Sequence, residues 1–177
     1  VQGVEEVVIA EAARQKADLI VLGETLTYYG TGKKMHECAE PVPGPSTAYF
    51  GKLAKEHHIH IVAGLVERDG RTIYNTAALI GSDGRMIGKY RKVTLPRGEI
   101  EAGITPGHEY PVFETSFGKV GMMICYDGFF PEVARALTIK GVSRPLELPF
   151  AFAGSPRSAV IEGELSLERG AFGIGTG

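Results

Sequence analysis

Cysteine is scarce in this sequence, and long apolar runs are absent. The two cysteines, Cys38 and Cys125, make no disulfide framework, so we predict a reduced, cytoplasmic setting. No apolar run approaches the roughly 18 residues of a membrane-spanning helix. A formal net charge of −2 offers no basic excess for nucleic acid, and no cysteine–histidine group has zinc spacing. We therefore predict no membrane, nucleic-acid or metal partner.

The residues that are present are typical of one globular domain. The chain has 177 residues, of which 44% are hydrophobic and 23% are charged. Helical and strand periodicities alternate first, and hairpin signals follow, which predicts an α/β sandwich with a mixed sheet. The predicted helices cover roughly 4–16, 47–57 (capped by Ser46) and 131–140, the predicted strands 18–24, 59–66, 73–80, 86–93, 110–113 and 119–125, and the predicted long loops 25–45 and 94–109.

One cysteine lies where a buried strand is predicted to turn into a helix. The apolar run from Val120 to Ile124 ends at Cys125, and Pro131 suits the first turn of the following helix. Nearby helix amides are expected to lower the pKa of such a thiol and to favour an oxyanion. The alternative is that Cys125 is a small apolar residue at the end of a core strand.

Three polar residues end or interrupt predicted apolar strands: Glu24, Lys92 and Cys125. The C-terminal ends of parallel strands are where α/β proteins bind ligands. Cysteine can attack an acyl carbon, glutamate can take its proton, and lysine can stabilise the resulting oxyanion. Taken singly, a glutamate after a strand is usually a solvated loop residue, and a lysine such as Lys92 is more often a surface charge on a hairpin strand.

Three motifs surround these residues: Asp18-Leu-Ile-Val-Leu-Gly-Glu24, Tyr90-Arg-Lys-Val-Thr-Leu95 and Cys125-Tyr-Asp-Gly-Phe-Phe-Pro-Glu132. Through these motifs, residues 1–141 resemble the nitrilase, or carbon–nitrogen hydrolase, superfamily. The resemblance implies a nitrilase-like αββα sandwich with mixed sheets, here incomplete because the first strand of the family is missing. Segments 43–47, 73–76 and 105–107 are also family-like.

The resemblance also implies a role for each site residue. Cys125 is expected to be the nucleophile, Glu24 the general base and acid, and Lys92 the cation that stabilises the intermediate. Family members often use a second glutamate in the loop after the lysine motif. Glu99 is the candidate for this second carboxylate, and Glu101 is the alternative.

The implied activity is hydrolysis of a non-peptide carbon–nitrogen bond in an amide or N-carbamoyl substrate. The reaction would pass through a cysteine thioester and need no cofactor. A homodimer or higher homo-oligomer is expected for the complete protein. The alternatives are nitrile hydrolysis, acyl transfer to an amine, and an inactive or partly folded remnant of such an enzyme.

Two departures from the family pattern concern the turn at Glu24 and the C-terminal tail. Gly23 replaces the usual proline before Glu24. Residues 142–177 depart from the family pattern, so we predict a hydrolase domain over 1–141 followed by a tail over 142–177. Pro145 and Pro149 each remove a ladder donor. We therefore predict that residues 142–177 form neither the strand nor the helix that a complete family member would place after the last helix, and that the chain alone is poorly active or inactive.

Overall fold

Two β-sheets stack face to face, and helices cover the outer face of each sheet. This computed structural model describes residues 3–142, 144–148, 159–163 and 172–173. The helices are α1 (Val4–Arg14), α2 (Pro45–His57), α3 (Arg97–Glu101) and α4 (Pro131–Ile139). The strands are β1 (Ala17–Leu22), β2 (His60–Asp69), β3 (Thr72–Ile80), β4 (Met86–Arg91), β5 (Val112–Thr115), β6 (Gly118–Ile124), β7 (Arg144–Leu148), β8 (Ala159–Gly163) and β9 (Phe172–Gly173).

The larger sheet has the strand order β4-β3-β2-β1-β8-β9. Strands β1 and β2 pair in parallel, and the remaining neighbours pair antiparallel. The smaller sheet has the order β5-β6-β7, with β5 antiparallel and β7 parallel to β6. Both sheets are therefore mixed, as the sequence predicts.

Three apolar clusters define the layers of the sandwich. Ile20 and Ile61 of the larger sheet pack against Ile9 of α1 and Phe50 of α2. The opposite face of that sheet packs against Met122 and its neighbours on β6. On the far side of β6, Met123, Val133 and Leu137 form a cluster that seats α4. The predicted αββα sandwich is confirmed, because successive strand residues point to opposite faces and each face is covered.

The prediction that no strand follows the last helix is wrong. Strand β7 pairs in parallel with β6, and Pro145 lies opposite Gly121. Within the described residues β7 is the edge strand of its sheet, and an edge strand tolerates a proline because only one side of it needs ladder donors. Pro149 and the expected helix after the strand lie outside the described residues.

Several boundaries differ locally from the predicted ones. Helix α2 begins at Pro45 rather than after Ser46, and the hydroxyl of Thr47 accepts a hydrogen bond from the Gly44 amide at 2.7 Å. The predicted loop over 94–109 contains the short helix α3. Two short strands, β8 and β9, lie in the region to which the sequence assigns no structure. Of the helices in the described ranges, none has the length and apolar character to cross a membrane.

Candidate active site

The first site residue, Glu24, follows the C-terminal end of β1 in a turn that packs directly on β2. Its side chain is 2% exposed. Gly64 of β2 makes this approach possible, because a Cβ at that position would lie 2.4 Å from the Cα of Glu24. The next residue, Thr25, has a left-handed backbone with φ 47°. The turn therefore depends on a glycine in the neighbouring strand.

Cys125 lies at the first position of a short 3₁₀ turn that follows β6 directly. Its backbone is left-handed, with φ 45°, which is uncommon for a residue other than glycine. The buried carboxylate of Asp127 closes this turn by accepting a hydrogen bond from the Ile124 amide at 3.0 Å. The same carboxylate accepts from the Tyr90 hydroxyl at 2.7 Å and from the Thr94 amide at 2.9 Å. Asp127 thus ties the cysteine turn to the segment that carries the lysine.

Lys92 comes directly after β4 and is the centre of a buried charged cluster. Its side chain is fully buried, and its Nζ lies 3.3 Å from Glu24 Oε2 and 2.5 Å from Glu99 Oε1. The Cys125 thiol lies close enough to Glu24 and Lys92 for both charged groups to shift its pKa. The structure therefore brings together all four residues that the sequence predicts for the site; their catalytic roles stay predictions.

The two candidates for the second carboxylate are separated clearly by the structure. Glu99, on α3, points into the cluster and pairs with Lys92. Glu101, on the same short helix, is exposed and pairs instead with Arg97 at 2.6 Å. Only Glu99 is placed to interact with the other site residues.

The pKa of Cys125 is shifted in the direction opposite to the one predicted from its position at the end of a strand. Burial, together with the nearby carboxylate of Glu24, raises the pKa of Cys125 to about 12, and Lys92 offsets this only in part. The expectation that helix amides lower the pKa of this thiol is therefore wrong in its net direction. Withdrawal from water and a neighbouring anion both disfavour a thiolate. The resting thiol at neutral pH is protonated.

The two charged partners of the thiol are shifted by their burial and by each other. Burial raises the pKa of Glu24, although Lys92 and Asn75 both act to lower it. Burial alone would lower the pKa of Lys92, but the attraction of Glu24 and Glu99 outweighs burial and leaves that pKa raised. The site therefore holds a cationic lysine beside a carboxyl group whose affinity for a proton is increased.

Sequence reasoning left two contributors to the site without a role. Asn75 appears in the sequence only as part of a family-like segment, and Asp127 only as a break in an apolar pattern. One feature of the sequence could have drawn attention to Asn75. It alternates with the apolar Ala77 and Leu79 along β3, so a polar side chain lies on an otherwise apolar face of the strand. In the described ranges, no group of three or more histidine, cysteine, aspartate or glutamate side chains is arranged to hold a metal ion.

Comparison with known proteins identifies the fold and the family. The structure of a carbon-nitrogen hydrolase from Helicobacter pylori G27 superposes with a TM-score of 0.71 at 25% identity, covering 81% of this chain and 53% of that chain. The fold is therefore that of carbon–nitrogen hydrolases. The profile of the carbon-nitrogen hydrolase family matches residues 4–144, and the chain belongs to that family.

Two relatives show which activities occur near this sequence. The chain is 40% identical over 164 residues to a nitrilase from Pyrococcus abyssi, covering 88% of this chain and 61% of that protein. It is 38% identical over 143 residues to the omega-amidase NIT2 of Xenopus tropicalis, covering 75% of this chain and 51% of that protein. The chain thus spans between half and two thirds of the length of these relatives.

Proposed function

We propose that this protein hydrolyses the carbon–nitrogen bond of an amide or N-carbamoyl substrate through a cysteine thioester. The observation that carries the proposal is the buried ion pair of Glu24 with Lys92 at 3.3 Å, beside a half-buried Cys125 thiol whose pKa both groups shift. A carboxylate in contact with a neutral thiol can accept its proton at the moment of attack. A resting thiolate is therefore unnecessary.

In the first half-reaction, the Cys125 sulfur attacks the carbonyl carbon while its proton moves to Glu24. The carbonyl oxygen becomes an oxyanion, and the Lys92 ammonium stabilises it electrostatically. When the carbon–nitrogen bond breaks, Glu24 returns the proton to the leaving nitrogen. Ammonia or an amine departs, and the acyl group remains on sulfur as a thioester.

In the second half-reaction, water attacks the thioester and Glu24 takes the proton of that water. The raised pKa of Glu24 suits a group that must both accept and return a proton near neutral pH. Breakdown of the second tetrahedral intermediate releases the carboxylic acid and restores the thiol. Glu99 remains paired with Lys92 throughout, which keeps the ammonium in place.

The proposal is tested by following ammonia release and the mass of the protein with a panel of aliphatic amides and N-carbamoyl amino acids. We expect turnover of at least one compound and, after acid quench, an acyl adduct on the peptide that contains Cys125. Cys38→Ala is the matched control and should keep both signals, whereas Cys125→Ala should lose both. An adduct on Cys38, or turnover by Cys125→Ala, would exclude this mechanism.

Nitrile hydrolysis is a second candidate, because one relative is named a nitrilase. The same thiol can add to a nitrile carbon, and the adduct then requires water to reach the thioester. Adding aliphatic nitriles to the panel distinguishes the two substrates. Acyl transfer to an amine is recognised by adding hydroxylamine and measuring hydroxamate formation.

An inactive remnant is a third candidate, because the match to the family ends at residue 144 and the residues after it depart from the family pattern. A protein that folds, yet gives neither ammonia nor an adduct at Cys125 with any compound of the panel, would support this reading. A partly folded remnant would instead fail to show a cooperative thermal transition.

For the complete protein we propose a homodimer or a higher homo-oligomer that uses the surface near α4. Two apolar side chains are strongly exposed there: Phe129 is 77% exposed and Ile139 is 79% exposed. Large apolar side chains exposed at both ends of one helix make the surface of that helix a candidate contact surface. Light scattering of the parent and of Ile139→Asp tests the assignment, and an unchanged mass in the variant would contradict it.

A further inference from the structure

One asparagine contacts three members of the active-site cluster. Asn75, on β3, is 1% exposed. Its Nδ2 donates hydrogen bonds to Glu24 Oε2 at 3.1 Å and to Glu99 Oε2 at 3.2 Å. Its backbone oxygen accepts a hydrogen bond from the Lys92 amide at 2.9 Å. Asn75 therefore connects the two carboxylates to the strand end that carries the lysine.

The chemistry of the contacts requires an amide at this position. An ionised carboxylate only accepts hydrogen bonds, so the NH₂ end of Asn75 must face Glu24 and Glu99, and both of its hydrogens are used. The other end, Oδ1, is buried and has no donor in the part of the chain that the structure describes. Buried polar atoms are normally paired, so this residue is placed for its two donors.

The site needs these donors because it holds more negative than positive charge. Glu24 and Glu99 share the single ammonium of Lys92, and two neighbouring carboxylates disfavour each other's ionisation. Burial raises the pKa of Glu24, and the hydrogen bond from Asn75 acts in the opposite direction. A Glu24 that held its proton at rest could not accept the proton of the thiol.

We infer that Asn75 is a positioning residue that clamps Glu24 and Glu99 on either side of Lys92, keeping Glu24 ionised and in contact with the thiol. The inference rests on the proposed function, because it assigns Asn75 an effect on the proton acceptor of that reaction. Asn75 itself exchanges no proton with the substrate.

The test compares Asn75→Ala and Asn75→Leu, which both remove the amide donors without adding charge, with a matched control, Thr76→Val. Thr76 is the next residue on β3 and is fully buried, but its hydroxyl donates to Glu67 on the opposite face of the sheet. The first readout is the titration of the Glu24 carboxyl carbon by NMR, assigned with Glu24→Gln. The second readout is the acid limb of kcat/KM with an amide substrate.

We expect both Asn75 variants to move the titration midpoint of Glu24 and the acid limb upward by about one pH unit, because a hydrogen bond to the ionised form is lost. At neutral pH, kcat should fall by about tenfold to a hundredfold with little change in KM, since the catalytic groups lose their alignment. Thr76→Val should lower the melting temperature and leave the Glu24 midpoint unchanged.

An unchanged Glu24 midpoint in the Asn75 variants overturns the inference. If Asn75→Ala fails to fold, Asn75→Leu, which keeps a similar branched shape and adds no charge, carries the test. Failure of both variants to fold also overturns it, because Asn75 would then be a structural residue. The NMR midpoint does not depend on turnover, so a shifted midpoint in a protein without amidase activity rejects the proposed function and keeps the clamp.

Discussion

Two buried carboxylates lie on opposite faces of the same sheet, and their surroundings differ in charge. Glu67, 1% exposed, accepts from Lys89, from Thr76 at 2.7 Å and from the Arg91 guanidinium at 2.6 Å and 3.0 Å. Glu24 shares the ammonium of one lysine with a second carboxylate. The first cluster has two cations for one buried anion, and the second has one cation for two anions.

The pKa values of the two carboxylates follow this difference. Burial raises the pKa of Glu67, but hydrogen bonds from Arg91, Lys89 and Thr76 outweigh burial and leave it lowered. At Glu24 burial prevails, and the pKa is raised. A carboxylate with ample donors stabilises the fold, whereas one with too few donors keeps an increased affinity for protons, which general acid–base chemistry requires.

The largest expected effect comes from Glu24→Gln, which should lower kcat by about 10²–10⁴-fold because the proton acceptor is lost. The melting temperature at neutral pH should not fall. The pKa of Glu24 is higher in the folded protein than in the unfolded chain, so its ionised carboxylate destabilises the folded state. Glutamine carries no charge and therefore removes this destabilisation. Kinetics and calorimetry on the same sample measure both quantities. A kcat near that of the parent would remove Glu24 from the mechanism.

Lys92→Met should lower kcat by about 10²–10³-fold, because the oxyanion loses its cation. The matched control is Lys89→Met, which removes a lysine that pairs with Glu67 on the other face of the sheet. The control should retain kcat and lose stability. If both variants remain folded and lose activity equally, the proposed difference between a catalytic and a structural cluster is wrong.

Glu67→Gln should lower the free energy of unfolding by about 2–4 kcal/mol at neutral pH, since it leaves two cations without their buried partner. The folded pKa of Glu67 lies below its ordinary value of 4.5, so its contribution is present above that pH and is lost as the pH falls below it. Urea unfolding curves of the parent and the variant should therefore converge on acidification. Equal stability at neutral pH would contradict the structural role of Glu67.

The smallest expected effect is a shift in the ionisation of Cys125. In a Cys38→Ser background, the ultraviolet absorbance of the thiolate should appear only at alkaline pH, since the pKa of Cys125 is raised to about 12. Glu24→Gln should move the midpoint to lower pH, because the neighbouring anion is removed, and Lys92→Met should move it higher. Shifts in the same direction for both variants would contradict this assignment of causes.

Much of the fold was predictable because each element has a local pattern. The apolar runs that became β1, β2, β3 and β6 have the length of ordinary strands, and turn residues bound them. Strand β7 was not predictable, because whether Pro145 is tolerated depends on its place at the edge of a sheet. Helix α3 is too short to show a helical period in the sequence.

The sequence by itself determined the three motifs and their order, and with them the positions of Glu24, Lys92 and Cys125 beside strand ends. Motifs of this kind are local, so they can be recognised without the tertiary structure. Only the tertiary structure separated Glu99 from Glu101 and brought Asn75 to the two carboxylates. It also decided the direction of the thiol pKa, because burial and the distances between charges on separate strands arise only when the sheets pack.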